Sequence, residues 1–338
     1  LLPAHFTESP SRRSIALSMT QKQSHAGKEL TSSANALAGG IASTIATVLT
    51  YPFDLIRTRF QVHDGRRVAL PQYSSTIRAL QHITTHEGFR GLYSGMTPAV
   101  IGASVSWSMY LFGYSFVKRT MENEGHTGIA PIILGGIVAG VTTASFTNPI
   151  WVIKTRMQTQ VLTAQDKSFH YKGIVDAASR IYREEGVRAY YRGLVPAIIS
   201  SYHGAIQFLI YESFCSWASD GVGVGNGPSS TTAFFAGGIS KVAALASTQP
   251  LSVLKARLQE QRSGTVGDIP RYHGALDAFT KTLKQEGVRG FYKGIGPAMW
   301  RLALHSAMFF TLLEHTKTYL RHFDSMILPP RVILEHKA

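Results

Sequence analysis

Six stretches of this chain are long and nearly free of charge, and they come in pairs separated by short polar segments. Ser33–Thr50 holds no charged residue, while Thr97–Val117, Thr127–Ile153, Val195–Tyr211, Ser229–Leu254 and Ile295–Leu313 are almost as clean. Roughly 20 residues rising about 1.5 Å each cross about 30 Å of hydrocarbon, so each stretch predicts a membrane-spanning helix. All six are rich in small residues, which let helix backbones approach closely in a membrane. The stripes Ala38-Gly39-Gly40, Gly135-Gly136 with Gly140, and Ala236-Gly237-Gly238 are therefore expected to mark helix contact.

Tyr73–Glu87, Tyr171–Glu185 and Tyr272–Glu286 lie between the members of each pair and read as short amphipathic surface helices, each stopping at a Glu-Gly. Each third of the chain is thus long helix, surface helix, long helix. Two motifs recur with the same period. Pro52–Gln61 (PFDLIRTRFQ) returns as Pro149–Gln158 (PIWVIKTRMQ) and Pro250–Gln259 (PLSVLKARLQ), the prolines 97 and 101 residues apart. Glu87–Gly95 (EGFRGLYSG) returns as Glu185–Gly193 (EGVRAYYRG) and Glu286–Gly294 (EGVRGFYKG), 98 and 101 residues apart. A common period in two motifs means tandem copies of one structural unit. A proline inside each first helix removes a backbone donor and is expected to kink it.

Composition narrows the function. The net charge of +14 with 44% hydrophobic residues could suit a nucleic-acid binder, but the charges repeat with the motifs instead of forming one basic face. Nucleic acid is therefore not an expected partner. The single cysteine, Cys215, excludes a disulfide within the chain and a multi-cysteine zinc site. No HExxH, GxxxxGK[ST] or GxSxG motif is present, so an enzyme is not expected. The mean hydropathy of only +0.02 leaves room for a soluble helical protein, a reading the length of the apolar stretches opposes.

The paired motifs, Pro-x-acid-x-x-base-x-base-x-Gln and acid-Gly-x4-aromatic-base-Gly, resemble those of the mitochondrial carrier family from Ser33 to Leu320. That resemblance implies an all-α membrane protein, three repeats closing as a six-helix barrel with three short matrix-side helices, working by alternating access. The boundaries follow the repeats: a leader over 1–32, repeats over 33–125, 126–222 and 223–320, and a tail over 321–338. The leader is Ser-rich, and Asp220–Thr232 reads as a linker between the second and third repeats.

In the family the motif acids and bases pair between neighbouring repeats and close the matrix side. Here Asp54, Arg57, Lys154 and Lys255 hold gate positions, but Trp151 and Ser252 replace the second and third acids. Only Asp54–Lys154 is left as a full ion pair, and the gate is expected to be weak. Gln61, Gln158 and Gln259 stand where relatives brace these pairs. Trp151 is either a gate plug or an ordinary packing residue. The cytoplasmic gate pattern implies pairs Glu212–Lys317 and Glu314–Lys118, with Ser115 and Cys215 as the matching gaps.

Family geometry places the substrate contacts on the even-numbered helices, at Gly102, Ser200 or Ser201, and Arg301. Ser106, Trp107, His203 and Gln207 lie within about a turn, and Lys241 is a further cation at membrane depth. Charges at that depth are costly unless they serve a wet cavity. For Trp107 a packing role competes with a ligand contact. The strings Gly91–Tyr114, Pro149–Gln158 and Ser201–Glu212 are similar to the folate/FAD branch of the family. They imply a small anionic substrate, FAD or a folate, and no cofactor of the protein's own. A functional monomer in the mitochondrial inner membrane follows, with the peroxisomal membrane as alternative and lipid, cardiolipin included, as partner. NAD or pyrimidine-nucleotide carriage and a non-transporting membrane scaffold stay open as alternatives.

Overall fold

A computed structural model of the protein describes residues 32–63, 73–125, 129–160, 170–219, 230–262 and 272–327. Most of the leader, the Asp220–Thr232 linker up to residue 229 and the tail from residue 328 lie outside the described residues. All described elements are helical. In chain order they are α1 (Ser32–Val62), α2 (Thr76–His86), α3 (Met96–Asn123), α4 (Ile129–Thr159), α5 (Ile174–Glu185), α6 (Leu194–Ile199), α7 (His203–Ser219), α8 (Ser230–Glu260), α9 (Ala275–Gly290) and α10 (Ile295–Ile327). The motif prolines Pro52, Pro149 and Pro250 each sit inside a continuous helix, α1, α4 and α8.

The surface helices start and stop for local reasons. Ser75 caps α2 by accepting the Arg78 backbone N–H at 3.3 Å. At the other two, Asp176 and Asp277 accept the N–H groups of Lys172 and His273, at 2.9 and 2.8 Å, which ties the residue before each N-cap to the first helical turn. Their ends fall at Gly88, Gly186 and Gly287, with φ of 73°, 74° and 63°, in the left-handed region that only glycine enters freely. Gly287 breaks α9 inside its length.

Each surface helix buries two residues four apart, Ala79 and Ile83, Ala177 and Ile181, and Ala278 and Thr282. One face of a helix is presented by that spacing. The first stripe packs with Leu55 and Ile56 of α1, the second with Ile153 of α4, and Ala278 with Leu254 and Leu258 of α8. Burying one such isoleucine contributes about 1.5–3 kcal/mol. Thr282 stands where the other repeats have isoleucine because its hydroxyl accepts from Arg257 Nη1 at 3.0 Å.

The chain forms two compact units, one over Thr50–Ala303 and a terminal one from residues up to Leu49 and from Leu304 onward. In the terminal unit Ala38, Ala42 and Ala46 are fully buried, and Thr47 Oγ1 lies 3.4 Å from His305 Nε2. Of the expected stripe Ala38-Gly39-Gly40, Ala38 is the buried member. A β-carbon at Gly39 or Gly40 would meet nothing within 4 Å, and the same holds for Gly237 and Gly238 of α8, whose buried stripe is Ala236, Ser240 and Ala244. Of the three stripes, the second is the one whose glycines make contact. There a β-carbon at Gly135 would lie 3.3 Å from the Tyr114 ring, and one at Gly140 3.5 Å from Ser201 Cβ.

Four spans among the described residues are long and apolar enough to cross a membrane: Ala38–Val62, Gly88–Asn123, Ile133–Thr159 and Val187–Trp217. The third repeat's long helices, α8 and α10, are not among them. They carry polar and charged groups within their length, Lys241 and Gln249 in one and Arg301 and His305 in the other. The second helix of repeat two is interrupted by a tighter 3₁₀ turn at Ser200–Tyr202, between α6 and α7.

Candidate functional site

In the Thr50–Ala303 unit, three arginines tie the repeats into a closed ring. Arg59, Arg156 and Arg257 are buried and pair with Glu87, Glu185 and Glu286, which lie 28, 29 and 29 residues further along the chain. Each guanidinium also donates through Nε to a backbone carbonyl of another repeat. Arg59 reaches Gln158 O at 3.0 Å, Arg156 reaches Gln259 O at 3.1 Å, and Arg257 returns to Gln61 O at 3.1 Å. The planar five-donor fork suits this double duty, whereas a lysine could not reach both. The sequence reading missed these pairs, although both partners sit in the repeated motifs at nearly constant spacing.

Two further sets of contacts follow the same threefold rule. The residues before the prolines, Tyr51, Asn148 and Gln249, differ in type, yet each donates to a carbonyl of its own repeat's second motif. Tyr51 bonds Ser94 O at 2.9 Å, Asn148 bonds Tyr190 O at 2.6 Å, and Gln249 bonds Lys293 O at 2.9 Å. Gly95, Gly193 and Gly294, with φ near 78°, then let the next helix start against another repeat's motif. A β-carbon at these glycines would lie 3.1 Å from Lys154 O, 3.0 Å from Lys255 O and 2.9 Å from Arg57 O respectively. Side chains at these positions would face both a strained φ and a carbonyl.

Inside this ring stand the motif positions expected to form the matrix gate, and the three differ in kind. Asp54 accepts from Lys154 Nζ at 2.7 Å, and Gln158 braces the carboxylate at 3.2 Å while also donating to Tyr51 OH at 2.9 Å. At the second position the Trp151 ring lies under two ammonium groups, Lys154 at 5.2 Å and Lys255 at 5.4 Å, with its Nε1–H on Thr147 Oγ1 at 3.2 Å. Cations favour an indole face. At the third, Ser252 Oγ accepts from Arg57 Nη2 at 2.9 Å and from Gln61 Nε2 at 3.0 Å. Gln259 braces no charged pair; it bonds Thr155 and Asn148. The series runs ion pair, cation–π contact, hydrogen bond from a cation to an uncharged hydroxyl.

Beside these positions opens a cavity of about 320 Å³. Ser200, His203, Gln207, Lys241 and Arg301 of the expected substrate residues line it, together with Arg57, Ser252 and Lys255 from the gate positions. Leu245, Leu302, Ala298 and Thr248 supply an apolar and hydroxyl wall that the sequence reading did not name. His203 Nδ1 is 3.0 Å from Thr248 Oγ1. Arg301 Nε also lies 3.7 Å from Asp54 Oδ1. Four of the lining residues are cations and none is an acid.

The other expected substrate residues are placed elsewhere. Gly102 is buried beneath Ile150 and Trp151, so the room left by its missing side chain is taken by the protein itself. Ser201 packs on Gly140, and its hydroxyl bonds Ile198 O. Trp107 is 66% exposed and stacks at 6.3 Å on Tyr110. The Ser106 hydroxyl is buried without a hydrogen-bond partner. None of these four lines the cavity, because helix rotation, not proximity in sequence, decides which face looks inward.

The expected cytoplasmic-gate residues lie in both units. In the Thr50–Ala303 unit Lys118 takes Glu122, one turn along α3, as its ion-pair partner at 3.7 Å, and Glu212 is exposed. Glu314 and Lys317 belong to the terminal unit, the former exposed and the latter half-buried. Outside the spanning segments, burial raises the Glu286 carboxyl, but hydrogen bonds from Arg257 and Lys293 outweigh it and hold the group below its ordinary value. Among the described residues no cluster of three His, Cys, Asp or Glu could hold a metal ion.

Comparison with known proteins accounts for the threefold pattern. The family profile described as mitochondrial carrier protein matches residues 28–125, 126–221 and 226–324. Folate transporter 1, chloroplastic, of Arabidopsis thaliana is 39% identical over 297 residues, covering 85% of this chain and 95% of that protein. Nicotinamide adenine dinucleotide transporter 2, mitochondrial, of the same plant is 34% identical, with 85% and 80% covered. The Arabidopsis peroxisomal nicotinamide adenine dinucleotide carrier is 30% identical, with 83% and 93% covered. With three family repeats matched in tandem, this chain belongs to the mitochondrial carrier family and is a multi-pass membrane solute transporter, not an enzyme.

Proposed function

We propose that this carrier moves a folate or FAD across the mitochondrial inner membrane by alternating access, with one chain forming the pathway and anionic lipid such as cardiolipin around it. The observation that carries the anionic part is the cavity with Arg57, Lys241, Lys255 and Arg301 on its walls and no carboxylate among its lining residues. Guanidinium and ammonium groups in a low-dielectric site bind phosphates and carboxylates through charge-assisted hydrogen bonds. Gln207 and His203 add groups that can bond a heterocycle edge. The relative named as a folate transporter is 39% identical to this chain over 297 residues, which favours the folate reading.

Transport of NAD is the second reading, favoured by the relatives named as nicotinamide adenine dinucleotide transporters at 30–34% identity. Both readings need a gate on each side. Asp54–Lys154, Trp151–Lys255 and Ser252–Arg57 close the matrix side in both. The deciding experiment is uptake into liposomes by the purified chain, with labelled folate, FAD, NAD and pyrimidine nucleotides compared. Saturable folate or FAD uptake is the expected result. Saturable NAD uptake alone transfers the assignment to the second reading, and uptake of none removes both.

A further inference from the structure

Trp151 and Ser252 stand where two repeats would carry gate acids, and each leaves a cation in place. Lys255 Nζ rests over the Trp151 ring at 5.4 Å, and Arg57 Nη2 donates to the Ser252 hydroxyl at 2.9 Å. An indole face attracts an ammonium and a hydroxyl accepts from a guanidinium, but neither carries a charge that cancels it. Among the described residues no carboxylate forms an ion pair with Lys255 or Arg57, and Arg57 Nε is buried without an acceptor. Both cations also line the cavity beside Arg301 and Lys241. Asp54, the one gate acid left, is already shared by Lys154 at 2.7 Å and Arg301 at 3.7 Å.

We infer that the loss of the two acids converts Lys255 and Arg57 from gate cations into ligands for the substrate's anionic group. The inference rests on the reading of the cavity as an anion site and ties two of its cations to the missing gate acids. A phosphate or carboxylate entering between Lys255 and Arg57 meets two charges whose partners are an aromatic face and a hydroxyl. Competing for them costs it less than breaking ion pairs, and drawing Lys255 off Trp151 and Arg57 off Ser252 loosens two of the three gate contacts. Binding and opening are thereby coupled through the same two side chains. An anion that reaches only Arg301 and Lys241 would bind without loosening the gate.

The test restores the acids one at a time. Pyrophosphate serves as probe polyanion, its affinity for the purified full chain in detergent read from the shift in unfolding temperature. Trp151→Asp and Ser252→Asp should each weaken that affinity about tenfold, the loss of roughly one charge-assisted contact. Trp151→Phe, which keeps an uncharged ring under Lys255, should stay within about twofold of the parent. Should Trp151→Asp fail to fold, Ser252→Asp and Lys255→Gln carry the same expectation. Unchanged affinity in the folded acid variants overturns the inference, as does a parent protein that pyrophosphate does not shift. Because the probe is independent of the physiological substrate, weakened pyrophosphate binding upholds the inference even when the uptake panel refutes folate and FAD.

Discussion

Gly102 is the slot that Trp151 fills: a β-carbon at 102 would lie 3.6 Å from the indole and 3.1 Å from Ile150 Cγ2. A glycine that family geometry assigns to the substrate thus serves the gate, by letting a bulky ring replace a carboxylate. Gly102→Val should destabilise the protein by about 1–3 kcal/mol through overpacking. Gly238→Ala, whose β-carbon meets nothing within 4 Å, should leave the unfolding temperature unchanged. Thermal unfolding of the two variants in detergent, side by side, checks the contrast.

Arg301 lines the cavity and lies 3.7 Å from Asp54, so it bears on both the anion and the remaining gate carboxylate. Arg301→Ala should cut uptake at least tenfold while the protein still inserts, since a lost charge-assisted contact is worth at least about 1.5 kcal/mol. Arg301→Lys should recover part of it. Full uptake by the alanine variant would remove Arg301 from the site.

Glu185 is nearly buried against Arg156, which has no exposed side-chain surface. Removing one partner of such a pair leaves an uncompensated charge and costs about 3–5 kcal/mol. Glu185→Ala should therefore unfold well below the parent protein in a detergent melt. Glu184→Ala, which breaks the exposed Arg180 pair one residue away, should change little.

Glu286 is held below its ordinary value of 4.5 because Arg257 and Lys293 outweigh the effect of burial. A carboxyl lowered by folding contributes stability that is fully present above its unfolded value and is lost as pH falls through its folded one. The unfolding temperature should accordingly drop as pH is lowered below about 4.5, from this group among others. The Glu286→Gln variant should show a flatter profile over that range. Equal slopes in the two proteins would mean that the Glu286 ion pairs do not contribute.

Legibility differed by kind of feature. The long helices, the surface helices and their Glu-Gly stops were readable because hydrophobic spacing and glycine chemistry act over a few residues. The Asp54–Lys154 contact was readable only through the resemblance, since 100 residues separate the partners. The arginine–glutamate pairs went unread although both members repeat, because nothing in a linear pattern says which of two motif bases turns toward the surface helix.

Local sequence by itself determined the three repeats, the helices and where the surface helices stop, because capping, periodicity and backbone allowance are set by near neighbours. Tertiary structure alone decided which faces those helices share. It buried the alanine and not the glycines in two of the small-residue stripes, turned Gly102 toward Trp151, left Trp107 outside the cavity, and gathered Lys241, Arg301, Arg57 and Lys255 around one space. The rotation of a helix about its axis depends on every neighbour it packs against. Charges far apart in the chain become one electrostatic site only when that packing closes.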